Sequence, residues 1–186
     1  MKSLKFLILF SSFLFFNSNY NFVYARDLAG LEFKEKQENL ILNGLGIRKA
    51  TIFKVKVYVA GLYLESNSSS SSEILNSNQD KKIVMKFLRD VSSKKIKNAY
   101  VQGFESNNEN LNSISEKIAL FTKSVVGIKE NDIMTIDFVS NKVITKVNNK
   151  IISEISGKDF SDALLKIWLG KKPPNKSLKE GMLGSS

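Results

Sequence analysis

Cysteine and histidine are both missing from this chain of 186 residues. Without cysteine there is no disulfide, no thiol nucleophile and no sulfur-ligated metal. Without histidine, the usual base at neutral pH and the commonest metal ligand are gone. Imidazole-relayed serine hydrolysis and His-bound zinc chemistry are therefore excluded. Any chemistry rests on Arg, Lys, Tyr, Asp, Glu or backbone groups, and no cofactor or metal is expected. Proline is scarce too: the two that occur are adjacent, Pro173-Pro174, and they bar helix continuation there. No apolar run reaches the ~20 residues that span a bilayer.

The longest apolar run, Leu4 to Phe16, is interrupted only by Ser11 and Ser12 and follows Lys2 and Lys5. A polar stretch and then Val23-Tyr24-Ala25 complete the three parts of a secretory leader, with a cut expected after Ala25. Residues 1–25 are thus read as a signal peptide and 26–186 as one domain. The mature chain is expected to be soluble, secreted or periplasmic, and monomeric. No cysteine follows the apolar run to carry a lipid, so no stable membrane anchor is expected.

Lysine and arginine number 28 against 18 acids, a net charge of +10. Loss of Lys2 and Lys5 with the leader lowers it to +8. Such a balance favours an acidic partner such as a membrane surface or nucleic acid. The basic residues are scattered, however, with no interleaved aromatic platform, and export argues against nucleic acid as a partner. A solvated lysine-rich surface is the simpler reading.

Along the mature chain, Leu31 to Lys34 alternates as a half-buried strand. Leu40-Ile41-Leu42 leads into Gly44 and Gly46, a turn-prone pair. Phe53 to Glu65 is the strongest strand signal, and Gly61 within it suggests a bulge or a close backbone approach. Asn67 to Ser72 (NSSSSS) reads as a flexible loop. Lys82 to Asp90 reads as a strand. Helical spacing follows over Ile96–Phe104 and Leu111–Val125. Ile133–Val139, Lys142–Val147 and Ile151–Ile155 form a meander, with turns at Ser140-Asn141 and Asn148-Asn149. Asp159 is placed to cap a helix ending at Gly170. A short helical turn follows the prolines.

Strands early and late, with helices between and after them, make hairpins rather than βαβ units, so the class is α+β. The helices are expected on one face of the sheet.

Three segments together resemble the chalcone isomerase-like family, particularly its bacterial exported branch. They are GLGIRKATIFKVKVYVAGLYLE (Gly44–Glu65), VMKFLRDV (Val84–Val91) and GKDFSDALLKIWLGKKPPNKSLKEGMLG (Gly157–Gly184). The resemblance implies an open-faced β-sandwich: a large antiparallel sheet with helices packed on one face and a ligand cleft between them.

It also singles out two residues. The arginine of Gly-x-Gly-x-Arg, here Arg48, points into the cleft in the family and binds the anionic or carbonyl end of the ligand. A guanidinium suits this because it stays charged when desolvated and offers a fork to two oxygens. Tyr58 falls where fatty-acid-binding relatives carry a tyrosine and plant isomerases a threonine. Read from the residues alone, Arg48 is a sheet-edge surface arginine and Tyr58 a strand tyrosine with its hydroxyl in water. Tyr63 is expected in packing.

Plant isomerases add a tyrosine and an asparagine on the helical segment after the Phe-x-Arg-Asp strand. The corresponding places here fall at Asn110 and Lys117, a departure that argues against ring closure. Phe87, Phe104, Phe121, Phe138, Phe160 and Trp168 are candidates for cleft lining or core. The resemblance thus implies a binder of a fatty acid or similar small hydrophobic carboxylate, anchored by Arg48 and Tyr58. Its rivals are an intramolecular lyase acting on an enone and a cell-envelope interaction protein with a vestigial cleft.

Overall fold

Alternation of apolar and polar side chains lays down most of the sheet. The computed structural model describes residues 24–185. In it β1 (Ala25–Leu28) and β2 (Leu31–Lys34) pair as a separate hairpin. Seven further strands follow in chain order as one antiparallel sheet: β3 (Lys36–Gln37), β4 (Leu40–Ala50), β5 (Val55–Leu64), β6 (Lys81–Phe87), β7 (Ile133–Val139), β8 (Lys142–Val147) and β9 (Lys150–Ser156). Helix α1 (Ser71–Asn76) joins β5 to β6. Helices α2 (Ser93–Asn107) and α3 (Ser115–Ser124), with a 3-10 turn over Asn112–Ile114, join β6 to β7, and α4 (Lys158–Leu169) and α5 (Lys176–Met182) follow the sheet. The leader expected over residues 1–25 lies outside the described residues except for Tyr24 and Ala25, and Ala25 pairs with Lys34. No described helix is long and apolar enough to cross a membrane.

The period of two splits the central strands β5 and β6 between two cores. Ala60, Leu62 and Leu64 of β5, with Ile83, Met85 and Phe87 of β6, face the helices. Val59 and Tyr63, one residue out of phase, face the opposite side, where Phe33 of the small hairpin covers them. Gly61 shares that side, and a side chain there would meet the Phe33 ring at 3.0 Å. What crowds Gly61 is side chains rather than the backbone expected there, and the bulges sit between Leu42 and Gly44 and between Arg48 and Lys49. Helix α4 is the keystone of the helical layer, burying Phe160, Leu164, Ile167 and Trp168 among others. Each such side chain contributes about 1.5–3 kcal/mol by leaving water. Phe104, Phe121 and Phe160 meet in tilted and edge-on pairs 5.6–6.3 Å apart. With Phe87, Phe138 and Trp168 also buried, every cleft-lining candidate is packed in the core.

Several local expectations are corrected. Gly44 and Gly46 form no turn; they lie inside β4. A Cβ on Gly44 would come within 2.2 Å of the Gly181 carbonyl oxygen, and one on Gly46 equally close to that of Leu178. The glycines are there because α5 rests with its backbone directly on the strand. Phe53 belongs to the turn before β5, and β6 stops at Phe87. The end of the serine run opens α1, because the Ser70 hydroxyl accepts from the Glu73 amide. Asp159 lies inside the first turn of α4 rather than at its cap, which is Gly157 at φ 124°. Its carboxylate is held by Lys117 at 2.7 Å.

Candidate ligand-anchoring site

Gly44, Gly46 and Arg48 occupy alternate positions of β4, opposite Leu62, Ala60 and Tyr58 of β5. The Gly-x-Gly-x-Arg spacing therefore puts all three on the helix-facing side. The glycines receive α5, and Arg48 emerges just beyond it. Arg48 and Tyr58 are direct cross-strand partners, and Tyr58 in turn pairs with Phe87 of β6, ring to ring at 5.4 Å. The two residues singled out in the sequence are thus brought side by side.

The Tyr58 hydroxyl is not in water. It accepts a hydrogen bond from the Trp168 indole nitrogen at 3.1 Å, which leaves its own proton free to donate. Burial pushes its pKa up, opposed by the Trp168 bond and by the Arg48 charge. Tyr100 of α2 packs edge-on to Trp168 and donates to the Met134 sulfur at 3.4 Å. Burial raises that phenol as well, further helped by Tyr58. Tyr63 lies on the opposite face, as packing, donating to the Lys34 carbonyl, and burial pushes it up to about 12.

Arg48 is held by neutral acceptors alone: the carbonyls of Lys49 and Pro174, the latter at 3.2 Å, and the Asn175 side-chain oxygen at 3.5 Å. No carboxylate faces it among the described residues. Asn175 also closes the neighbouring sheet edge. Strand β3 pairs only with Leu40 and Ile41, leaving the rest of this β4 edge without a strand partner. Asn175 donates to the Ile47 carbonyl and accepts from the Lys49 amide, so the segment after the prolines covers that edge.

Asn110 and Lys117 are not part of this cluster. Asn110 is exposed and caps the following turn, and Lys117 is bound to Asp159. The helical segment after β6 instead sends Tyr100 towards Tyr58 through their shared neighbour Trp168. Sequence reasoning missed Tyr100 and Asn175. Tyr100 was legible as part of a helical apolar stripe. Asn175 carried only the weak signal of a polar residue between the prolines and a helix.

Two cavities among the described residues stand apart from Arg48 and Tyr58. One of ≈ 230 Å³ lies among α1, α4 and α5, and one of ≈ 170 Å³ between β1 and the Gly44–Gly181 contact. Both are smaller than the ~300–1,000 Å³ usual for small-molecule sites. Among the described residues no cluster of three or more acids is placed to hold a metal.

A model of the chalcone isomerase-like family matches residues 25–184, nearly the whole described chain. The chain belongs to the chalcone isomerase-like family. A crystal structure of a fatty-acid binding protein from Arabidopsis thaliana shares the fold, with a TM-score of 0.71 over 86% of this chain and 96% of that one, at 14% identity. No protein of curated function matches by sequence. In this family member the open-faced sandwich is thus present as expected, with its helices on one face and the small hairpin on the other.

Three buried phenols whose pKa values are raised make stability fall at high pH. Above pH ~10 the unfolded chain sheds protons that the folded chain keeps, so stability falls with further alkalinity. Below that pH the three contribute no slope. Melting temperature is expected to hold from pH 8 to 10 and drop steeply beyond. An unchanged melt at pH 11 would contradict the burial of these hydroxyls.

Proposed function

We propose that this protein binds a fatty acid or a similar small hydrophobic carboxylate, without catalysis, at Arg48 and Tyr58. The observation that carries the reading is a half-buried guanidinium with no counter-charge among the described residues, beside a hydroxyl whose proton is free. A carboxylate would take charge-assisted bonds from both, about twice as strong as those to neutral acceptors. It would therefore displace the Pro174 and Asn175 contacts on entering. The Arabidopsis neighbour is a fatty-acid binding protein, which supports the same ligand class. The places of the isomerase tyrosine and asparagine fall at exposed Asn110 and at Lys117, which is bound to Asp159, and this favours binding over ring closure. Native mass spectrometry of the protein recovered from an envelope fraction is expected to show a co-purified acyl carboxylate, or stoichiometric uptake of added palmitate. Failure of both would remove the reading.

The same reading includes export to the periplasm or beyond, supported by the leader pattern of residues 1–25. N-terminal sequencing is expected to begin at Arg26. A retained Met1 in a membrane pellet would overturn it.

A further inference from the structure

Between β4 and β5 the chain turns through Thr51-Ile52-Phe53-Lys54, closed by the Lys54 amide donating to the Thr51 carbonyl at 3.1 Å. The two central positions of such a turn suit Gly, Asn, Asp or Pro. Here they hold Ile52 and Phe53, exposed by 88% and 81%, the two most exposed large apolar residues described. Thr51 and Lys54 adopt positive φ to make the turn, at 62° and 52°. Nothing among the described residues gains from these apolar side chains, so a local rule is broken without compensation there.

The charge around the tip is equally one-sided. From 48 to 57 the chain reads RKATIFKVKV, with no acid. Lys49 and Lys56 face each other directly across the hairpin, an unfavourable like-charge pair. Neither they nor Lys54 forms an ion pair among the described residues. The register places the starts of β7 and β9 at this same end of the sheet, where Ile133 and Ile151 are also exposed.

We propose that the β4–β5 hairpin tip docks the protein reversibly on anionic lipid bilayers, with Ile52 and Phe53 entering the interface beneath Lys49, Lys54 and Lys56. A bilayer fits better than a protein partner. The tip is a narrow protrusion, far short of the ~800 Å² per side of a specific protein interface. A fluid interface takes in such side chains without a matching pocket, while lysines extend to the lipid phosphates. An anionic surface also relieves the Lys49–Lys56 repulsion. The proposal does not depend on a ligand at Arg48, although it would set that residue a few positions from the lipid.

The absence of cysteine gives a clean test on the full chain. Ile52→Cys carries one environment-sensitive fluorophore at the tip, and Ser66→Cys carries it just past the far end of β5. Vesicles of phosphatidylcholine alone are compared with vesicles containing phosphatidylglycerol. The tip probe is expected to shift to the blue and become shielded from an aqueous quencher on the anionic vesicles only, while the Ser66 probe stays in water. Phe53→Ser should weaken partitioning about tenfold. Lys54→Gln and Lys56→Gln should each weaken it about fivefold, with added salt acting in the same direction. Because the turn is exposed, these variants should melt like the parent. The proposal is overturned if the tip probe stays in water while the protein pellets, which would show that the leader or another face holds the membrane. It is equally overturned if Phe53→Ser partitions like the parent, or if Ile52→Ser/Phe53→Ser turns a dimer into a monomer.

Discussion

Arg48→Ala is expected to weaken fatty-acid binding by about 2–5 kcal/mol, because a carboxylate brought into the cluster would lose its only counter-charge. Tyr58→Phe should cost less, about 1–3 kcal/mol for one hydrogen bond. The two donors share an acceptor, so the double variant should cost less than the sum. Arg48→Lys should recover only part of the loss, since a point charge cannot reproduce the fork. The geometry adds a distinction between the two sites. Arg48 also ties down Pro174, and the Tyr58 hydroxyl is the acceptor for buried Trp168. Tyr58→Phe therefore leaves an indole N–H unpaired and lowers the melting temperature as well as the affinity, while Arg48→Lys should leave the fold intact. Calorimetric titration with palmitate alongside thermal melts separates these effects. Wild-type affinity in Arg48→Ala would return the residue to a sheet-edge surface arginine.

Gly46→Ala should be among the most damaging single-methyl changes in the molecule. The added carbon would sit 2.2 Å from the Leu178 carbonyl oxygen and 3.0 Å from the Leu178 Cα. Both are backbone atoms, so relief comes only by moving α5. Gly181 closes the contact from the other side, its own Cβ direction blocked by the Leu45 carbonyl oxygen at 2.2 Å. Lifting the helix would uncover Leu178 and Met182, both fully buried. A cost of at least ~3 kcal/mol is expected, a large part of the ~5–15 kcal/mol that holds a domain folded. For a chain of this size that lowers the melting temperature by about 6–12 °C. Hydrogen exchange should show α5 opening first. A variant melting within a degree or two of the parent would mean that α5 is not seated as described.

The strand pattern was legible because period-two alternation is forced wherever a sheet buries one face and wets the other. Ile133–Val139 and Lys142–Val147 match the observed strands at both ends. What escaped was the reason for the glycines. Gly44 and Gly46 look like a turn when read locally, and only the arrival of α5, from the other side of the whole sheet in sequence, shows that they make room for another backbone. Phe53 misleads for a related cause: an apolar residue ahead of Val55 and Val57 continues the alternation, and nothing local says that the chain is still turning. At the site, Arg48 and Tyr58 stood out through the family motif, whereas Asn175 acts through tertiary hydrogen bonds that no spacing reveals.

Because every strand of the large sheet neighbours the next in sequence, it is able to assemble as the chain emerges, one hairpin after another. The seat on β4 is the exception. Its partner comes from residues 176–184, which emerge only after all seven strands, so the Gly44–Gly46 stretch stays open until then. Helix α5 works as a clasp: a chain stopped at Pro174 would have its sheet in place but unlatched, with Leu62 and its neighbours open to water.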